Sequence, residues 1–324
     1  MIKNNYIKAI FLIILILPLL QCSFFKAIKS KSVFLTTSEY FDEKRDRKIK
    51  IYIWQPVSSI GKNDKSFPLI IFSHGTRGSA DNYSWLTVSL AEKGFIVVGV
   101  DHYNDTWYKY SKEGQIANWE RPQDITFVIN RLLQDSTFSN LIDKNRIAAA
   151  GHSSGGYTSL ALAGALFKME LIMENCSKAT DDLGCAIGND VEVGYYVKNF
   201  QNARMSYKDN RIKAVFVMEP ALGYGIDKSS LEKINIPVYI VGCQKNDFLS
   251  YKGNAYYYAQ NIPNAKLKTL DKGEGHFIFI DKCHGLGNLF YKQICIDKDG
   301  INRENIHKEI AEKAYQFFNN LIND

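Results

Sequence analysis

Five short apolar runs constrain this chain more than any other feature: PLIIF at 68–72, FIVVGV at 95–100, RIAAA at 146–150, IKAVFVM at 212–218 and PVYIV at 237–241. A strand with one wet face alternates apolar and polar residues. A strand that is apolar at nearly every position needs cover on both faces, which is the setting of a parallel sheet between helix layers. Segments 81–93, 120–135 and 154–167 lie between these runs and read as helices, with Asp81 the expected N-cap of the first. Residues 303–323 read as a closing helix. Upstream, 33–39 and 48–56 (KIKIYIWQP) alternate, as a half-buried antiparallel pair does, and 266–270 reads as one more strand. The expected class is α/β: a mostly parallel, doubly wound sheet with helices on both faces and ligand sites at the strands' C-terminal ends. Residues 168–211 break the alternation and are too many for a simple loop. They read as an insertion after the helix 154–167, lid-like over the sheet edge.

The compartment is legible in the first thirty residues. Lys3 and Lys8 precede a twelve-residue apolar run, AIFLIILILPLL at 9–20. Crossing a bilayer takes about 20 apolar residues, so this run reads as a signal-peptide core. It ends in Leu19-Leu20-Gln21-Cys22, which resembles a bacterial lipoprotein signal with Cys22 as the lipidated residue, Gln21 standing where such signals usually carry a smaller side chain. The expected organisation is a signal peptide at 1–21, a tether at 22–32 and one domain over 33–324. The expected location is the cell envelope, as a lipoprotein of the periplasm or outer membrane, or otherwise secretion. With 40 basic and 34 acidic residues spread without a basic block, nucleic acid is not an expected partner.

An exported chain can form disulfides. Cys176 and Cys185 lie nine apart in one polar stretch, Cys283 and Cys295 twelve apart in another, and Cys243 follows an apolar run. Two local loops, Cys176–Cys185 and Cys283–Cys295, with Cys243 a small buried thiol, are the expectation, although sequence does not settle connectivity.

The chemistry centres on Ser153. After RIAAA comes Gly151-His152-Ser153-Ser154-Gly155-Gly156, then the small, helix-compatible YTSLALAGA. This is a G-x-S-x-G string between a buried strand and a helix, the setting in which it marks a nucleophile held on a sharp turn. Gly151 and Gly155 remove side chains that would collide with that turn, and the following helix aims its N-terminus at the site. A serine needs a base, and a base that follows the serine in the chain leaves His276, His284 and His307. His276, in the glycine-flanked turn GEGHF, is preferred; His307 on the closing helix reads as solvated. The acid is Asp247, past the 237–241 strand, with Glu219, at the end of 212–218, as the alternative. The oxyanion donors are the N–H groups of Ser154 and of Thr76, in the loop SHGTRG, with His74 bracing that loop by hydrogen bonds.

Together PLIIFSHGTRGSADNY, FIVVGVDH, RPQDITFVINRLL, RIAAAGHSSGGYTSLALAGA, IPVYIVGCQKND and GEGHF resemble the α/β-hydrolase superfamily. They are most similar to its dienelactone-hydrolase-like esterases related to platelet-activating-factor acetylhydrolase. The resemblance spans about 33–322. It implies ester hydrolysis by Ser153, His276 and an acid, with no cofactor. Dienelactone hydrolases carry Cys where this chain has Ser153, and the acetylhydrolases place their acid after the strand that here ends at Glu219.

The sequence therefore leads to an exported serine hydrolase for carboxylic esters, with a small-molecule ester or lipid as substrate and the membrane as a partner through the lipid anchor. The alternative is an inactive hydrolase fold serving as an envelope binding protein. No HExxH or clustered ligand pattern suggests a metal. Tyr103, Trp107, Tyr108 and Tyr110, with Trp85, Trp119 and Tyr256 to Tyr258, are candidates to line an acyl pocket or contact a membrane.

Overall fold

Eight strands form one sheet in the order β1-β2-β4-β3-β5-β6-β7-β8. They are β1 (Val33–Asp42), β2 (Arg47–Pro56), β3 (Phe67–Ser73), β4 (Ile96–Asp101), β5 (Ile142–His152), β6 (Ile212–Met218), β7 (Val238–Cys243) and β8 (Lys266–Leu270). The computed structural model describes residues 29–60, 66–179, 181–186 and 193–323. The expected signal peptide and Cys22 lie outside the described residues, as does most of the tether.

The alternating segments β1 and β2 pair antiparallel, and β2 runs antiparallel to β4; every other pairing is parallel. β3 and β4 are buried at every position, as uninterrupted apolar runs require. Their two faces feed two cores. One packs Ile49, Ile71, Val98, Val128 and Leu160; the other packs Phe72, Val97, Phe216, Phe279 and Phe318.

The helices of the described residues begin with α1 (Ser84–Glu92), α2 (Lys112–Ile116), α3 (Glu120–Gln134) and α4 (Ser154–Ala163). The insertion carries α5 (Met169–Cys176) and α6 (Val193–Ala203), so it is helical rather than a bare loop. Then follow α7 (Lys228–Leu231), α8 (Ala255–Asn261), α9 (Leu286–Phe290), α10 (Lys292–Cys295), α11 (Arg303–Phe318) and α12 (Asn320–Asn323).

Three local expectations need correction. Asp81 lies inside a 3-10 turn, Ala80–Tyr83, instead of capping a helix. The first N–H groups of α1 are taken by Asp281, whose carboxylate accepts from Ser84 and Trp85 at 2.9 and 3.1 Å. α4 stops at Ala163 because Gly164 turns the chain at φ +121°, a backbone angle open mainly to glycine. His307 is not solvated. Its face of α11 also buries Arg303, Ile310, Ala314 and Phe318; its ring stacks on Trp85 at 4.3 Å and its Nε2 donates to the Ile278 carbonyl at 2.7 Å.

Candidate active site

The chain crosses from one side of β3 to the other when it passes from β4 to β5, and open α/β sheets hold ligands at such a reversal. Ser73 pairs with Gly151 across β3 and β5, so the loop after β3 and the turn after β5 leave the sheet side by side. Ser153 occupies that turn at φ 56°, ψ −122°. For a residue with a side chain this conformation costs of order 1–3 kcal/mol and persists only if the surroundings impose it. They do: the Ser153 N–H donates to the Met218 carbonyl at 3.0 Å, and its own carbonyl accepts from Ala221 at 3.0 Å. A Cβ on Gly151 would fall 2.2 Å from the Gly155 carbonyl oxygen, and one on Gly155 would fall 1.9 Å from that of Ser73. The two glycines let the turn press against β3.

His276 follows β8 in a short 3-10 turn, His276–Phe279, and its Nε2 lies 3.0 Å from Ser153 Oγ. Burial pushes its imidazole pKa down to about 3, which keeps the ring neutral. A hydrogen-bond chain that sequence reading missed fixes its backbone. Gly75 N–H donates to Tyr83 Oη at 3.3 Å, and Tyr83 Oη lies 2.9 Å from His152 Nδ1. His152 Nε2 lies 3.1 Å from the His276 carbonyl. A carbonyl only accepts, so Nε2 of His152 carries the proton and its Nδ1 accepts from Tyr83.

Two carboxylates approach His276, neither through its ring. Asp247 is exposed, and its Oδ1 accepts from the His276 main-chain N–H at 2.8 Å. Gly275 makes room for that approach, because a Cβ there would meet Asp247 Oδ2 at 2.7 Å. Glu219 is fully buried at φ 45°. It accepts from the Cys243 N–H and from Asn246 Nδ2, and burial raises its carboxyl pKa to about 7. Asn246, another residue the sequence did not single out, stands between: its Nδ2 lies 3.4 Å from His276 Nδ1. Its orientation is set by Oδ1, which accepts from Phe248 and Leu249 N–H at 2.7 and 2.9 Å.

The loop after β3 turns at Gly75, whose carbonyl accepts from Gly78 N–H at 2.9 Å and from His74 Nδ1 at 2.7 Å. His74 Nε2 accepts from the His102 N–H at 3.1 Å. Its two ring nitrogens therefore tie the loop to the end of β4. Thr76 Oγ1 and Ser154 Oγ are 2.5 Å apart, which joins the two residues expected to supply oxyanion donors. Among the described residues, the main-chain N–H groups of Thr76 and Ser154 have no hydrogen-bond partner.

Ser153 and His276 open into a cavity of about 520 Å³, within the usual range for small-ligand sites. Thr76, Asn82 and Asn118 supply polar groups, and Ile116, Leu222, Phe248, Leu249 and Phe277 supply apolar wall. The insertion contributes Ile172, Asp182, Gly184 and Cys185. Asp182 accepts from Ser250 N–H at 3.1 Å and Asn254 Nδ2 at 2.6 Å, which anchors the insertion to the segment before α8. Of the aromatic residues expected at an acyl pocket, Trp107 lines the cavity. Trp85, Trp119 and Tyr258 belong to the core, and the Tyr108 hydroxyl donates to Asp101. Tyr83, Tyr224 and Tyr291 line the cavity without a sequence signal. Cys176 pairs with Cys185 and Cys283 with Cys295, while Cys243 is free and buried. His284 is exposed. Among the described residues no group of His, Cys, Asp and Glu is placed to hold a metal.

A family model described as Chlorophyllase matches residues 48–176, from β2 to the end of α5. Among curated proteins, Cutinase est1 of Thermobifida alba is 29% identical over 104 residues, 32% of this chain and 32% of the relative. Cutinase 1 of Thermobifida cellulosilytica is 28% identical over 102 residues, 32% of this chain and 36% of the relative. The match thus spans about a third of the length of these relatives. Among solved structures, a ferulic acid esterase from Streptomyces cinnamoneus superposes with a TM-score of 0.61 at 16% identity, covering 91% of each chain. A putative dipeptidyl aminopeptidase IV from Bacteroides ovatus superposes with a TM-score of 0.56 at 12% identity, covering 89% of this chain and 36% of that one. At such identities the likeness is one of fold, and with the sheet order above the fold is that of an α/β-hydrolase.

Proposed function

We propose that this chain is an exported serine hydrolase that cleaves carboxylic esters through an acyl-enzyme on Ser153. The observation that carries the reading is the 3.0 Å contact between Ser153 Oγ, on its strained turn, and His276 Nε2 at the base of an otherwise largely apolar cavity. The similarity to two cutinases and the match to the Chlorophyllase model support an ester as substrate. In the reaction, Ser153 Oγ attacks the ester carbonyl while its proton passes to His276 Nε2. The Thr76 and Ser154 N–H groups receive the oxyanion. Collapse expels the alcohol, which takes the proton from His276. Water then attacks the acyl carbonyl, giving its proton to His276, and the carboxylic acid leaves as Ser153 recovers its hydrogen. Asp247 serves as the acid that stabilises the imidazolium, with Glu219 as the alternative.

The finer placement is with dienelactone-hydrolase-like and acetylhydrolase-like esterases, with a small-molecule ester or lipid as substrate. Two disulfides support an oxidising compartment. Residues 1–21 act as the signal, and Cys22 carries a lipid that holds the enzyme at the cell envelope. A fluorophosphonate probe is expected to label Ser153 in the folded mature protein, and an ester panel of increasing acyl length to show turnover. A folded protein with no adduct on Ser153 and no ester turnover overturns the enzyme and leaves a binding protein.

The pH profile tests the state of the base. Neutral His276 is the active form, and a pKa lowered by burial extends that form into acid. For an uncharged ester, the acid limb of kcat/KM is expected well below the ordinary histidine value of about 6.5. A limb at or above that value would mean that a carboxylate sits on the His276 ring in the free enzyme.

A further inference from the structure

Thr76 lies at the tip of a four-residue turn, and one buried ion pair grips the chain on both sides of it. Arg121 on α3 is 2% exposed, and its Nη1 donates to Asp105 Oδ2 at 2.5 Å. Its Nη2 donates to the His74 carbonyl, two residues before Thr76. Asp105, 1% exposed, accepts with its other oxygen from the N–H of Arg77, one residue after Thr76, at 2.9 Å. That bond also holds Arg77 at φ 55°, a conformation unfavourable for a residue with a side chain. Only the Gly75–Thr76 peptide, which carries the Thr76 N–H, lies between the two gripped peptides. The third arm of the guanidinium, Nε, donates to Thr158 Oγ1 at 3.2 Å, and Thr158 Oγ1 donates to the Ser154 carbonyl at 2.8 Å. One side chain thus reaches both the loop bearing Thr76 and the first turn of α4 bearing Ser154.

Stability alone is a poor reason to keep such a pair. Removing two charges from water costs several kcal/mol each, and apolar replacements are often as stable. A planar fork with donors in fixed directions gives position instead, which a hydrophobic contact does not. We propose that the Arg121–Asp105 pair is a positioning device for the oxyanion hole, setting the distance and angle between the Thr76 and Ser154 N–H groups. This rests on the serine-hydrolase reading above. Neither residue lines the cavity. The pair acts through the loop, so its loss reduces transition-state stabilisation and leaves ground-state binding alone.

The test uses Arg121→Lys, which keeps the charge and loses the fork, and Asp105→Asn, which keeps an acceptor for Arg77 and loses the charge. Each is assayed on an ester the wild type turns over, with folded active sites counted by burst titration. Removing one oxyanion donor outright costs about 10²–10³ in kcat, so a misplaced donor is expected to cost roughly ten- to a hundred-fold per titrated site. KM stays within about two-fold, and an arylboronic acid that forms a tetrahedral adduct on serine binds more weakly by a similar factor. The double variant costs about as much as either single one, because the pair acts as a unit. If both charge variants fail to fold, Thr158→Val carries the same test without removing a charge, with a several-fold loss in kcat expected. A merely structural pair would lower the number of titrated sites and leave kcat per site and boronate affinity at wild-type values. That result overturns the proposal. Wild-type protein that neither titrates nor hydrolyses any ester overturns the underlying reading instead.

Discussion

Ser153→Ala is expected to lower kcat on a carboxylic ester by about a million-fold, with KM within a few-fold of wild type and the melting temperature unchanged. The size follows from what the hydroxyl does. In the proposed mechanism it supplies the nucleophile that divides one slow displacement into two faster ones, and about 10⁶ in rate corresponds to roughly 8 kcal/mol of barrier. The cavity walls and the donors at Thr76 and Ser154 survive the change, so substrate still binds and a residual acceleration over water remains. Ser153 holds its φ of 56° through main-chain bonds to Met218 and Ala221, which alanine keeps. Steady-state kinetics with thermal unfolding on the same preparation check both halves. A variant that retains more than about a hundredth of the wild-type rate would place the nucleophile elsewhere.

The route to Ser153 was legible because each step has a local cause. Buried parallel strands must be apolar throughout, so β3, β4, β6 and β7 stood out as runs; a sharp turn between a strand and a helix needs small neighbours, so Gly151 and Gly155 stood out beside the serine. The disulfides were legible for the same reason, since each closes a loop of nine or twelve residues. Features whose partners come from far along the chain were not. Asp81 looked like a cap, but a carboxylate 197 residues away in sequence takes the first N–H of α1. The pairing of Arg121 with Asp105 has no sequence signal, because nothing in RPQD or in YND says that the fold will bury them together. His307 could have been found: Arg303, His307, Ile310, Ala314 and Phe318 recur at helical spacing, which marks one inward face. The aromatic residues past β4 show the opposite limit. Composition says that they are numerous, but which of them faces a cavity depends on packing that only the fold supplies.

The acid is the point where the sequence left two answers open, and Asp247→Asn is expected to decide it with a loss of about 10³–10⁴ in kcat, against less than about ten-fold for Glu219→Gln. For His276 to act as a base its Nε2 must be free to accept, so the ring proton must sit on Nδ1 and needs an anionic acceptor as the imidazolium forms. In the resting arrangement Nδ1 faces the amide of Asn246, a donor, which favours the opposite tautomer with Nε2–H toward Ser153 Oγ. A carboxylate must therefore replace that amide on the ring. Glu219 is poorly placed to do so: its oxygens are taken by Cys243 N–H and Asn246, and burial brings its pKa to about 7, so a large fraction is uncharged near neutrality. Asp247 already reaches the main chain of His276 at 2.8 Å and stands at the surface. A rotation of its side chain is a smaller change than unpacking Glu219. Both variants are measured for kcat, KM and unfolding midpoint. Glu219→Gln is expected to show its effect in stability, through the hydrogen bonds that orient Asn246. A mild Asp247→Asn beside a severe Glu219→Gln would transfer the acid to the end of β6 and make Asn246 the link between Glu219 and the imidazole.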